Sequence, residues 1–128
     1  MPDSPRIGEP DGPQPDGPGL DAEDVKIVTL ARAARARASA AEGAAVRDTD
    51  GRTYAAVTVT LPSLSLSALQ LAVAMAVASG AHGLEAAAVV TPATEVDPPG
   101  LAAVRDLAPG ALVLVANPAG TVVVTVAG

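Results

Sequence analysis

The sequence predicts an α/β domain with helices packed on a mixed five-stranded sheet. Three observations predict it. Helix-prone and β-prone segments follow one another in the order helix, strand, strand, helix, strand, helix, strand, strand. Asp50-Gly51 stands between the first two β-prone segments, a strong hairpin signal. Only Asn117-Pro118-Ala119-Gly120 separates the last two strands, which makes them antiparallel, because a parallel return needs a crossover of about a dozen residues. At 128 residues and 49% hydrophobic, the chain is sized for one domain with a real core. That core is aliphatic. With no Phe, no Trp and one tyrosine, Tyr54, cohesion must come from close packing of Ala, Val and Leu.

Taken in order, residues 1–20 read as an acidic, disordered Pro/Gly-rich arm, because they hold six of the twelve prolines and four of the twelve glycines and almost nothing to bury. The folded domain is expected over 21–128. Asp21, Glu23 and Asp24 are helix-start acids ahead of VKIVTLARAARARASAAEG, and Gly43 is expected to stop that helix. AAVRDTDGRTYAAVTVTL is the strand pair. Pro62 and the serine-rich LPSLSLS are expected to form a loop, with Ser65 or Ser67 capping a helix through ALQLAVAMAVAS to Gly80. LEAAAVV (84–90) reads as a buried strand, TPATEVDPPG as a loop, and LAAVRDLA as a short helix stopped near Pro109-Gly110. ALVLVA (111–116) and TVVVTVA (121–127) are the closing strands.

The helix after Ser67 is apolar all round. At 100° per residue Leu69, Val73, Ala76 and Val77 cluster on one side and Ala68, Leu71, Met75 and Ala78 on the other. One side can meet the sheet; the other needs a second cover. Leu71 and Met75 are therefore expected in a homo-oligomer interface, with a further, unidentified protein partner left open.

Charge and composition exclude several functions. The net charge of −6 belongs to residues 1–24, where seven acids face only Arg6, and the remaining residues carry seven charges of each sign. A neutral folded part with almost no aromatic rings lacks the footprint of a nucleic-acid binder. Leu71 to Ala78 is the longest uninterrupted apolar stretch between Thr53 and Gly83, far short of the ~20 residues of a membrane span. The acidic, Pro-broken start is unlike a secretory signal. No membrane partner and a cytoplasmic location are the expectations. The absence of cysteine removes disulfides, thiolate ligands and a thiol nucleophile, and one histidine, His82, is too few for most zinc sites. No cofactor and no metal are expected.

The strings GAAVRDTDGRTY (43–54), LSALQLAVAMAVASG (66–80), LEAAAVV (84–90) and PPGLA (98–102) run in the order of a DGR-Y hairpin, an N-x-E segment, a Cys-Ala-Glu helix start, an A-V-S-x-G helix end, an A-x-A-V-V strand and P-C-x-x-C. In this the chain resembles the small cytidine deaminases that act on free nucleosides. The resemblance covers about 100 residues. It implies a three-layer α/β/α fold and oligomers. It also implies where chemistry would sit: three protein zinc ligands, an open fourth position for water and a glutamate that moves protons. The first ligand and the glutamate fall on Ser67 and Leu69, the later ligands on Pro99 and Ala102, and the nucleoside-reading Asn and Glu on Thr58 and Thr60. Every one of these positions departs from the family pattern. Shifting the register by two residues puts Leu69 and Leu71 in the first pair of roles, which changes nothing chemically.

The expectation is a catalytically silent, homo-oligomeric structural or interaction module on this scaffold, and not an enzyme. The alternative is a binding protein for a nucleoside or other small polar ligand. A second alternative is a hydrolase of unrecognised chemistry, for which Asp48, Asp50, Glu85, Asp97 and Asp106 are scattered acids. His82 lies in a loop with no orienting partner nearby in sequence and reads as a solvent or structural residue. Ser65 and Ser67 read as helix caps in preference to nucleophiles. The stripe Arg32, Arg35, Arg37 reads as a solvated face or a contact for the acidic arm, and Tyr54 as a strand residue with its hydroxyl near the surface.

Overall fold

A computed structural model describes residues 20–128. The acidic arm expected before Asp21 lies, except for Leu20, outside the described residues. Leu20 itself packs partly buried against the core.

Helix α1 (Ala22–Ala38) starts where expected, with the Asp21 side chain accepting from the Asp24 amide at 2.9 Å and Glu23 and Asp24 in the first turn. Gly43 does not stop it. The helix ends at Ser39 in the left-handed region (φ 50), and Gly43 opens strand β1 (Gly43–Asp48). The physical reason is close approach. A Cβ on Gly43 would run into the Ala31 carbonyl oxygen and lie 2.9 Å from both Arg35 Cβ and Arg35 N, so the glycine lets α1 sit directly on the strand.

β1 turns through Asp50-Gly51 into β2 (Thr53–Val57), with Gly51 at φ 86. The end of the expected second strand and the residues expected to form a loop make a second small hairpin, β3 (Val59–Leu61) and β4 (Leu64–Leu66), about the Pro62-Ser63 turn. Its alternating Leu and Ser residues carry a two-residue period that serves a strand as well as a loop. Helix α2 (Ala68–Ala78) follows. Strand β5 (Leu84–Val90) matches its expected span. Helix α3 (Pro98–Leu107) begins three residues before the expected LAAVRDLA, because Asp97 caps it and Pro98 occupies the first turn, where a missing N–H costs nothing. β6 (Leu112–Ala116) and β7 (Val122–Ala127) close the chain.

The main sheet is the expected mixed five-stranded one, in the order β2-β1-β5-β6-β7. Only β5 and β6 run parallel, connected by α3 as the crossover; β6 and β7 are antiparallel. Because side chains alternate along a strand, β1 sends Ala45 to one face with Ala86, Ala88 and Leu114, where Ile27, Val28 and Ala31 of α1 cover them. Ala44, Val46, Ala87, Val89 and Val113 point the other way, against Leu69, Val73 and Ala76 of α2 and Val104 of α3. The result is three layers, α/β/α. Alanines in the centre of the sheet hold both helical layers close, which replaces the bulk that aromatic rings would supply.

The wheel partition of α2 needs one correction. Its buried arc is Ala68, Leu69, Ala72, Val73 and Ala76, so Ala68 belongs to the inner side and Val77, expected inside, is 52% exposed. The N-terminus of α3 covers the first turn: a Cβ on Gly100 would lie 2.8 Å from Leu69 Cβ. Beyond that cover the last turn projects outward. Met75 is 37% exposed and Leu71 partly buried against the core.

Candidate functional site

A cavity of about 660 Å³ opens where β2 passes into β3, where β5 ends, and where α2 and α3 begin. Convergence of two helix N-termini at the carboxyl end of a parallel strand pair is where open α/β sheets place ligands. Each wall has a local cause. Thr58 breaks the strand between β2 and β3, and its amide donates to the Glu42 carbonyl at 3.3 Å. Thr91, 1% exposed just past β5, donates its hydroxyl to Glu42 Oε2 at 2.8 Å and accepts from the Ala93 amide at 3.1 Å. Ser67 caps α2 in a full capping box. Its Oγ accepts from the Gln70 amide at 3.1 Å, and Gln70 Oε1 accepts from the Ser67 amide at 3.0 Å. Asp97 caps α3 by accepting from the Gly100 amide at 2.7 Å.

Of the residues the resemblance singled out, the cavity brings together Thr58, Ser67 and Pro99. It does not include the other three. Leu69 is fully buried in the α2-side core, while Thr60 on β3 and Ala102 on α3 are exposed. The donor set does not fit a zinc ion: Ser67 Oγ is committed to its cap, and Leu69, Pro99 and Ala102 carry no side-chain donor atom. Among the described residues no three His, Cys, Asp or Glu side chains converge in a way that could hold a metal. Among the described residues two carboxylates, Glu42 and Asp97, line the cavity and no Lys, Arg or His does. Thr58 Oγ1 and Asp97 Oδ1 are buried without a hydrogen-bond partner.

Sequence reasoning counted Asp97 only as a scattered acid and passed over Glu42 and Thr91. Asp97 was findable as the polar residue before Pro98-Pro99, a helix-start pattern. The Glu42 to Thr91 bond joins residues far apart in the chain, and no local pattern announces it.

The remaining acids serve the framework. Asp48, 1% exposed, accepts from the amides of Asp50 and Arg52, both at 2.9 Å, and from the Tyr54 hydroxyl at 2.8 Å. Burial alone would raise the Asp48 carboxyl, but the Tyr54 hydroxyl and the two amides together hold it below its ordinary value. The same hydrogen bond to Asp48, with burial, raises the Tyr54 phenol above its ordinary value. Tyr54 is thus tied inward rather than left at the surface. Arg47, 8% exposed, pairs through Nε with Glu85 at 2.7 Å and through Nη2 with Asp24 at 3.2 Å, fastening the start of α1 to the sheet. Burial opposes its charge; the two carboxylates outweigh burial and raise its pKa. His82 is exposed in the loop before β5, and Arg35 Nε donates to the Ala41 carbonyl at 3.0 Å.

The profile of a family described as cytidine deaminase-like matches residues 20–120. No curated protein matches the sequence. Among solved structures, a cytidine deaminase from Burkholderia pseudomallei superposes with a TM-score of 0.70 at 23% identity, covering 80% of this chain and 90% of that one. A cytidine deaminase from Mycobacterium leprae gives 0.60 at 21% identity, covering 70% and 85% respectively. At these identities the likeness establishes the fold.

Proposed function

This chain belongs to the cytidine deaminase-like family, and from that premise we propose that it is a catalytically silent member acting as a homo-oligomeric structural or interaction module. One observation carries the reading. The residues that the resemblance puts at the family's chemical positions serve the framework of this fold. Ser67 is spent on a helix cap, Leu69 is sealed in the core, and Pro99 and Ala102 belong to the first turns of α3. A hydroxyl engaged by its own helix is a poor zinc ligand, and a buried leucine moves no proton.

The module half of the reading rests on α2. Its outer side, with Ala74, Met75, Val77 and Ala78 exposed and no charged side chain, is suited to a second copy that would cover it. The test has two arms. Elemental analysis and an ultraviolet deamination assay on cytidine and deoxycytidine should give no stoichiometric zinc and no turnover; one zinc per chain with turnover would overturn the silent reading. Size exclusion with light scattering should give an oligomer whose mass Met75→Glu, which puts an unpaired charge in the interface, lowers. An unchanged mass for Met75→Glu would remove α2 as the contact.

A further inference from the structure

Among the described residues the edge of the sheet at β7 is a second surface with no strand beside it, on the opposite side of the fold from β2 and apart from the cavity above. We propose that β7 pairs antiparallel with β7 of a second copy about a two-fold axis, joining two five-stranded sheets into one of ten. This goes beyond the α2 contact and does not depend on it.

The backbone comes first. Gly128 N donates to Ala111 O, so the pair next to Leu112 and Ala127 is a hydrogen-bonded one. Alternation along an antiparallel ladder then turns the N–H and C=O groups of Thr125 and Ala127 away from β6. Setting Thr125 of one chain opposite Ala127 of the other satisfies these groups in both copies and places the two Val126 side chains at the axis. Natural sheets usually guard such an edge with Lys, Pro or an inward charge. VVVTVA carries none, and its one irregularity, the register shift opposite Val115 and Ala116, leaves the Thr125 to Ala127 stretch straight.

The side chains agree with a two-fold partner. On one face Val124 and Val126 line a groove of about 440 Å³ against Val96, Leu101 and the apolar stem of Arg105. On or beside the other face Val123 is 49% exposed and Leu112 46%. The groove has opposite charges at its two ends: Glu95 lies just before α3 and Arg105 in its last turn, both exposed. A two-fold axis through β7 exchanges those ends, bringing Glu95 of each copy toward Arg105 of the other. A patch with one acid and one base placed this way is complementary to itself, which is what an isologous interface requires.

The experiment uses the full chain in analytical ultracentrifugation, with amide hydrogen exchange. Thr125→Pro deletes a donor that points away from β6, so it should leave the fold intact and abolish this contact. Glu95→Arg or Arg105→Glu alone should weaken assembly about tenfold or more, and the two together should restore it, since reversed charges again face each other. The amides of Thr125 and Ala127 should be protected in the assembled protein, and the Ala127 amide should exchange fast in Thr125→Pro. In a Met75→Glu background the β7 dimer should persist, which separates this contact from the one at α2. Unchanged mass for Thr125→Pro, fast exchange at both amides in the wild type, or failure of the double reversal to restore what each single one lost would overturn the proposal.

Discussion

Leu69→Ala is the substitution on which the packing role of position 69 can be measured. Leu69 is 0% exposed, held between the sheet and the start of α3. Truncation to alanine removes three buried carbons. At about 0.8 kcal/mol each, the transfer loss is ~2.4 kcal/mol, and the residual hole raises the total to about 3 kcal/mol. That is a large part of the 5–15 kcal/mol by which domains of this size are stable. Urea unfolding followed by far-ultraviolet circular dichroism should show a lower midpoint at unchanged slope, and a thermal melt should fall by roughly 12–24 °C. Leu69→Met keeps the volume and should cost less than about 1.5 kcal/mol. A loss below about 1 kcal/mol for the alanine variant would mean that the side chain opens onto the cavity, and the reasoning that position 69 now serves packing would fail.

Gly43→Ala should destabilise the fold by about 2 kcal/mol or more, because the new methyl meets the Ala31 carbonyl and the Arg35 backbone, neither of which can swing aside; the same urea titration measures it. Two titrations should bracket the pH range of maximum stability. Asp48 has a folded value below its unfolded one, so its contribution is complete above the ordinary carboxylate range and is lost as pH falls through the folded value. Tyr54 is raised, so its contribution is complete below the ordinary phenol value and is lost as pH rises through the folded one. Tyr54→Phe should lower stability at neutral pH, remove that alkaline loss and shrink the acid one; melting curves from pH 3 to 11 that superpose on the wild type would contradict it.

Much of this architecture was legible because it rests on local rules. Asp50-Gly51 marks the first hairpin, the short turn at Asn117 dictates an antiparallel closing pair, and Ser65 or Ser67 offers a helix cap that Ser67 fills. What was illegible depends on partners distant in sequence. Gly43 looks like a helix stop until α1 is laid on β1, where the same missing Cβ becomes the condition for contact. LPSLSLS has the turn residues of a loop, and only pairing of Val59 with Leu66 makes it a hairpin. Val77 looked like an inner residue on a wheel because a wheel cannot say where a neighbouring helix stops covering it. The candidate site divides the same way. Thr58, Ser67 and Pro99 line the cavity and Thr60, Leu69 and Ala102 do not, while Glu42 and Thr91 meet across the sheet.

The hydrogen bond from Tyr54 to Asp48 also determines what light can report about this protein. Tyr54 is the chain's one Phe, Tyr or Trp ring. It is tethered at the β1–β2 turn and packed against the α2 side of the sheet. Tyrosine emission or near-ultraviolet dichroism therefore watches that turn and its neighbours, and α1, on the opposite face, has no chromophore near it. A detachment of α1 would leave the optical signal of the ring in place while far-ultraviolet ellipticity fell. Non-coincidence of the two signals would then time the separation of one layer from the sheet, with Tyr54 as a native reporter that needs no added label.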